Sequence, residues 1–316
     1  MSTEHVVAPS DVHCEWDRSL PPVAVVKSGD RVHFRTQEVT GGQVEYGSPA
    51  SALAELDRSR VYPLAGPVFV SGASPGDILE IEMLELAPGG WGWSGIIPGR
   101  GLLSDRFADP YIRYFDLGAA RSAEFRPGIR IPIAPFPGTI GVAPDVPGRL
   151  PVRPPNQGGG NIDTRSLTKG AKLYLPVLVP GALLSIGDCH AAQGDGEVCV
   201  TGIECDMAVS VRVVVLRGTS LPPSTYQLTT PQGSRPPGPR FAASASGPDL
   251  FEDSRNAVLG VIDWLARERD LSLEDAYVLC SLAADLEISQ IVNAPNFCVT
   301  ASLPLSIFGA EAGADE

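Results

Sequence analysis

Along Val198–Val215 the side chains alternate: Ile203, Cys205, Met207, Val209, Val211 and Val213 fall on one face, and Glu204, Asp206, Ser210 and Arg212 on the other. A period of two is the signature of a half-buried strand, and no helix places those residues on a common side. Shorter versions recur. Val23 to Val26, the turn Lys27-Ser28-Gly29-Asp30, and then Val32 and Phe34 alternating with Arg31, His33 and Arg35 read as a β-hairpin. Pro67 to Val70, the turn through Asp77, and Leu79, Ile81 and Met83 alternating with Glu80 and Glu82 read as a second. Glycines (34) and prolines (30) punctuate the chain so often that few uninterrupted runs could be helices. The expected fold is mainly β, with a β-sandwich or barrel-like body and an α+β C-terminal part.

Three segments are expected. Residues 1–221 form the β-rich body. Within it, the stretch from Ala87 to Pro155 shifts to Gly, Pro and aromatics, including Trp91, Trp93, Phe107, Tyr111, Tyr114, Phe115 and Phe136. Such rings either fill a satellite core or wall off a small pocket. Residues 222–248, with PP, TTPQGSRPPGP and ASASGP, read as a connector without regular structure. In 249–316, Ala257, Val261, Trp264 and Leu265 recur at helical spacing, and Ser272-Leu273-Glu274-Asp275 looks like the capped start of a second helix through Leu279, Leu282 and Leu286. Ile288–Val292 and Phe297–Ser302 then read as strands, ahead of an acidic EAGADE tail expected to be disordered.

Charge and cysteine usage exclude several partners. A formal net charge of −13 with no cluster of Lys and Arg argues against nucleic acid. The longest apolar stretch, Leu173–Ile186, is broken by Pro176, Pro180 and Gly181 and is too short for the roughly 20 residues that span a bilayer, so it reads as paired buried strands and no membrane is expected. MSTEHVVAPSDVH has neither the basic nor the apolar region of a secretion signal, and the six cysteines form no CxxC pair. Reduced thiols and a cytoplasmic location are expected.

Polar chemistry concentrates in PGALLSIGDCHAAQGDGEVCVTGIECDM, Pro180–Met207, where Asp188, His190, Asp195 and Glu197 lie within ten residues. Just upstream, NQGGGNIDTRSLTKGAKLYLPV supplies Asn161, Asp163 and Lys169. If Ile186–Ala191 is extended, Asp188 and His190 point one way and Cys189 the other. Each polar residue alone is explained by a turn cap or a satisfied loop histidine; together, beside a glycine-rich loop, they make a site. Glu204 follows this loop directly and is set to return toward it. His13 and Glu15 are weaker candidates, since a histidine beside Trp16 is more simply packing.

The segment GGGNIDTRSLTKGAKLYLPVLVPGALLSIGDCHAAQGDGEV, and above all its GD-x-HAAQGDGE core, closely resembles the signature of the acetamidase/formamidase family. Weaker resemblance runs from His13-Cys14-Glu15-Trp16 to Leu303-Pro304, covering nearly the whole chain. What it implies is hydrolysis of a small carboxamide to a carboxylate and ammonia, and many of the family look like metal-binding proteins. An amide must be polarised, attacked and protonated on its nitrogen. A divalent cation serves the first two needs by activating a water; zinc is the first expectation, with calcium or manganese as alternatives. The expected metal ligands are Asp163, Asp188, His190 and Glu204; Glu197, Asp195 and Lys169 are the catalytic candidates, and Asn161 and Gln193 the substrate-binding ones. The expected partners are the small amide and further copies of the chain, a homo-oligomer supported by the amphipathic C-terminal elements. Two alternatives stand beside this: a cysteine-nucleophile amidase using Cys189, and a non-catalytic metal-dependent small-molecule or sugar-binding β-domain.

Overall fold

Met207–Leu216 anchors the architecture: Met207, Val209, Val211 and Val213 are buried and the residues between them half-buried, as the alternation requires. The computed structural model describes residues 2–308 except 103, 106, 119–120, 127–128, 198, 219–224, 231–238, 272, 274–275 and 277–283. Met207–Leu216 pairs antiparallel with Arg31–Thr36 on one side and Ile78–Pro88 on the other. Its sheet has nine strands, in the order Glu4–Val7, Arg31–Thr36, Met207–Leu216, Ile78–Pro88, Lys172–Pro176, Thr225–Thr230, Arg240–Gly247, Phe297–Pro304 and Asp285–Gln290. A second sheet runs Gly159–Asn161, Phe136–Gly141, Leu184–His190, Glu204–Cys205, Trp91–Ile96 and Tyr111–Asp116, with Leu64–Ser71 also on Leu184–His190. Phe34, Ile81, Leu173 and Val211 of the first sheet and Val68, Phe136, Ile140 and Ile186 of the second share one core, each 0% exposed. Burying each contributes roughly 1.5–3 kcal/mol. Two open sheets over one core make a β-sandwich. Among the described strands neither sheet closes on itself, so the barrel alternative falls away.

Neither expected hairpin forms. Ala24–Lys27 pairs with Leu64–Ser71 in the second sheet, while Arg31–Thr36 lies in the first. Leu64–Ser71 and Ile78–Pro88 are divided in the same way, and so are Lys172–Pro176 and Leu184–His190, which were expected to pair with each other. At each of these turns the chain crosses the core instead of doubling back. It does so again at Asp206: Glu204–Cys205 belongs to the second sheet and Met207 to the first, so Glu204 is buried while Asp206 is exposed, and the two do not share a face.

The connector expected over 222–248 is corrected where it is described, 222–224 and 231–238 lying outside the described residues. Thr225–Thr230 and Arg240–Gly247 are paired strands, in register from Thr225↔Ala245 to Thr230↔Arg240. The small residues that read as low complexity are small because a helix lies against them: a Cβ on Gly260 would come within 2.7 Å of the Ala243 methyl. That helix, Leu250–Arg269, starts where the Asp249 side chain accepts from the N–H of Phe251 and Glu252, and ends at Asp270 with φ 52°; such a cap is worth about 1 kcal/mol. Its inner face, Ala257, Val261 and Leu265, forms a second core with Phe241 and Leu303, and Trp264 stacks on Phe241 at 4.1 Å. The expected second helix from Ser272 and the tail fall almost wholly outside the described residues, and Leu286 lies in the strand Asp285–Gln290, not in a helix. Trp93 packs with Val44, Leu53 and Leu56 in the expected satellite core. The five described cysteines are free, and no described helix is long and apolar enough to cross a membrane.

Candidate metal centre

Every residue of Leu184–His190 is buried, and the strand delivers both Asp188 and His190. His190 is in register with Glu204 on the neighbouring strand. Directly opposed residues project to the same side of a sheet, so the ladder itself sets Glu204 Oε2 3.2 Å from His190 Nε2. Asp188 Oδ1 lies 3.6 Å from the same nitrogen and Glu197 Oε1 3.9 Å. Asp163 arrives from the loop after Gly159–Asn161, whose strand is paired to Phe136–Gly141. Asp163, His190 and Glu197 bring ligand atoms within 4.8 Å of one another, and so do Asp188, His190 and Glu204. None of the five residues is more than 6% exposed.

The backbone is strained to achieve this. Asp163, Asp188 and Glu197 have φ of 46°, 51° and 46°, and two cavity residues, Tyr62 and Val200, have 59° and 70°. Left-handed conformations of non-glycine residues cost on the order of 1–3 kcal/mol each and gather at functional sites. Gly138 shows how tightly the site is filled: a Cβ there would sit 2.6 Å from the Asp188 carbonyl oxygen, 2.7 Å from Asp163 Oδ1 and 2.9 Å from His190 Cε1.

Hydrogen bonds fix the state of the imidazole. Gln193 Nε2 donates to the carbonyls of Asp163 and Ser289 at 3.0 and 3.4 Å, which orients the amide and turns its Oε1 to His190 Nδ1 at 2.7 Å. Nδ1 therefore carries the proton, and Nε2 faces the carboxylates. Nε2, Glu204 Oε2 and Asp163 Oδ1 are buried without a hydrogen-bond partner. Among the described residues no Lys or Arg is ion-paired with the four carboxylates; Asp188, Glu197 and Glu204 instead face His190. Burial and neighbouring carboxylates push Asp163 and Glu197 well above the usual carboxylate range, and burial pushes Glu204 up to about 7. For His190 burial acts downward, but Glu204 and Asp188 outweigh it and hold the imidazole well above its ordinary value.

A buried anionic cluster with orphaned acceptors is costly unless protons or a cation complete it. One imidazole nitrogen among carboxylate oxygens suits zinc or manganese, so these residues fit a divalent cation. Only one ring nitrogen is free, so the two trios cannot each give it to a separate ion. Of the carboxylates facing Nε2, Glu204 and Asp188 lie nearer and Glu197 farther, at 3.2, 3.6 and 3.9 Å.

Other expected residues are placed differently. Asp195 is exposed, 3.6 Å from Arg165 Nε, and Lys169 is exposed on a turn; neither joins the cluster. Gln193 is not in the cavity but braces His190 from behind. Asn161 lines the cavity, with its amide committed to Thr139 Oγ1 at 2.7 Å and the Arg153 carbonyl at 3.0 Å. His13 bonds Ser185 Oγ at 2.8 Å and packs against Trp16, while Glu15 lines the cavity. Cys189 is 0% exposed in the apolar core, and burial pushes its thiol up to about 12, so no thiolate is available at neutral pH and the cysteine alternative fails.

Two contributors escaped the sequence. Asn293, from the C-terminal segment, donates Nδ2 to Asp163 Oδ2 at 2.8 Å; before Ala294-Pro295 it reads as an ordinary turn residue. Tyr62 lines the cavity, and burial together with Asp188 and Glu197 holds its phenol well above the ordinary value. Asp188, Glu197 and Glu204 all border this cavity of about 530 Å³, with Trp93 and Ile97 among its apolar lining.

The acetamidase/formamidase family model matches residues 2–147 and 148–310. A putative formamidase of Schizosaccharomyces pombe is 28% identical over an alignment 378 positions long, covering 94% of this chain and 90% of that protein. The crystal structure of an acetamidase from Bacillus halodurans superposes with a TM-score of 0.86 at 34% identity, over 96% of this chain and 98% of that one. A predicted acetamidase/formamidase from Thermoanaerobacter tengcongensis superposes with a TM-score of 0.88 at 31% identity, over 98% of both chains. With nearly its whole length matched in sequence and in fold, the chain belongs to the acetamidase/formamidase family.

Proposed function

We propose that this chain hydrolyses a small linear carboxamide to a carboxylate and ammonia, with a divalent cation held by Asp188, His190 and Glu204. The observation that carries the proposal is the pair of orphaned buried atoms, His190 Nε2 and Glu204 Oε2, 3.2 Å apart at the cavity. When bound, such a cation supplies Lewis-acid polarisation of the carbonyl and a lowered pKa for water. Glu197 takes the proton from the attacking water and returns it to the departing nitrogen; a carboxylate whose pKa is raised by burial serves both halves of that cycle. Tyr62 stays protonated at neutral pH and offers a neutral donor to the developing oxyanion. Gln193 fixes the imidazole tautomer, and Asn293 orients Asp163. Trp93 and Ile97 keep bulk water from the reacting groups.

Zinc is the first candidate cation, with manganese and calcium behind it. Purified protein should release ammonia from formamide, acetamide or propionamide and carry stoichiometric divalent metal. Full activity in verified metal-free protein would overturn the metal assignment, and stoichiometric metal with no ammonia from any amide would overturn the hydrolase. Assembly belongs to the same proposal: the last strand of the sheet, Asp285–Gln290, is bridged by Gly196 at its Gln290 end but exposes Leu286 and Ile288 at 53% and 39%, an apolar stretch suited to a second copy. Sedimentation velocity should show an oligomer at micromolar concentration, and a monomer there would refute it.

A further inference from the structure

The cavity carries cations that the hydrolysis of formamide or acetamide does not call for. Arg58, Arg100, Arg149 and Arg153 all line it. Arg149 is accounted for, 3.4 Å from Glu15 Oε2. The side chains of Arg58, Arg100 and Arg153 have no ion pair among the described residues, although the chain has 37 acidic residues against 24 basic ones. The three stand close enough to disfavour one another's charge: burial, and then Arg100, pulls both Arg58 and Arg153 below the ordinary arginine range. Guanidinium groups gathered without a counter-charge are stabilised when a carboxylate joins them through paired N–H donors.

Space points the same way. With about 30 Å³ per water, a cavity of about 530 Å³ holds on the order of 17 waters, far more than acetamide displaces. Tyr62 lines the same cavity as both groups; its phenol acts on Arg58 and Arg153, and Asp188 and Glu197 act on it. The cavity is anionic at the His190 cluster and cationic at the arginines.

We propose that the substrate is an amide carrying its own anion, the monoamide of a short dicarboxylic acid, with its carbonyl at the His190 cluster and its carboxylate among Arg58, Arg100 and Arg153. This rests on the amide-hydrolase reading of the site. The C–N bond breaks as the water oxygen joins the acyl carbon, one water proton goes to the leaving nitrogen to give ammonia, the second leaves the new carboxyl group and converts the ammonia to ammonium, and the product is the dicarboxylate. Because the whole protein is strongly negative, the arginines also offset the general repulsion of such a substrate.

The test compares kcat/KM for succinamate and glutaramate with that for butyramide and valeramide, in the wild type and in Arg100→Gln and Arg153→Gln. The expected result is at least a tenfold preference for the anionic amides, shrinking as salt rises and falling about tenfold in either variant. Equal rates on anionic and neutral amides, or a preference that survives both substitutions, would overturn the proposal. Calorimetric titration of wild type and variants with succinamate separates this from the amidase reading. Arginine-dependent binding without ammonia release sinks the hydrolase and keeps the anion site; turnover of neutral amides with no arginine-dependent succinamate binding does the reverse.

Discussion

His190→Ala is expected to strip the protein of stoichiometric divalent metal and to lower kcat/KM at least about a thousandfold, the upper part of the range for removing a charge-stabilising group. The imidazole is the only nitrogen among the proposed ligands, and its Nε2 is the atom on which Asp188, Glu197 and Glu204 converge. No neighbour can replace it, because Gln193 already uses its amide on Asp163, Ser289 and the imidazole. Folding should suffer less, with a thermal midpoint within several degrees of wild type, unless metal binding itself holds the Gln193–Glu197 loop. Cys189→Ala is the paired control. That side chain sits in the core behind the site, so the change should cost about 1 kcal/mol of stability and leave most of the turnover. Metal analysis, ammonia release and thermal unfolding on both variants decide the matter. An inactive Cys189→Ala beside a His190→Ala that keeps metal and turnover would reverse the assignment.

Glu197→Gln should retain metal and fold while kcat falls by about 10²–10⁴-fold, the usual contribution of a positioned general acid–base group. Its carboxylate is the most distant of the three from Nε2, at 3.9 Å, and borders the cavity. The amide keeps the shape and the left-handed backbone, φ 46°, but cannot accept a proton from water. KM should change little, because the loss falls on the transition state and not on ground-state binding. If the variant loses its metal instead, Glu197 is a ligand and the base lies elsewhere; wild-type turnover with metal bound would remove it from the chemistry altogether.

How far the sequence carried is best seen at particular residues. Met207, Val209, Val211 and Val213 were assigned to the buried face, and they are there, because a period of two fixes which side of a strand is apolar whatever lies next to it. Asp188 and His190 were expected on one side with Cys189 behind, and the structure holds them so even though Asp188 is left-handed. The connector differs because ASASGP reads as filler, whereas Ala243 and Ala245 pack under the helix, whose close approach at Gly260 makes small side chains necessary. Asp195 and Lys169, catalytic candidates by residue type beside Glu197 and the glycine-rich loop, lie exposed outside the cluster.

Sequence by itself determined the β character of the chain, its family signature and the residue types of the site, since alternation, turn punctuation and ligand chemistry are local properties. Tertiary structure alone decided which strands are neighbours. The turns Lys27–Asp30 and Ser71–Asp77 could have closed hairpins, yet each carries the chain across to the other sheet, where the partner is chosen by burying both apolar faces in one core. The same crossing at Asp206 sets Glu204 opposite His190 and leaves Asp206 exposed, and Asn293 reaches Asp163 from the far end of the chain. The inventory of ligands is written in the sequence, but their convergence within a few ångströms depends on sheet register, which packing sets.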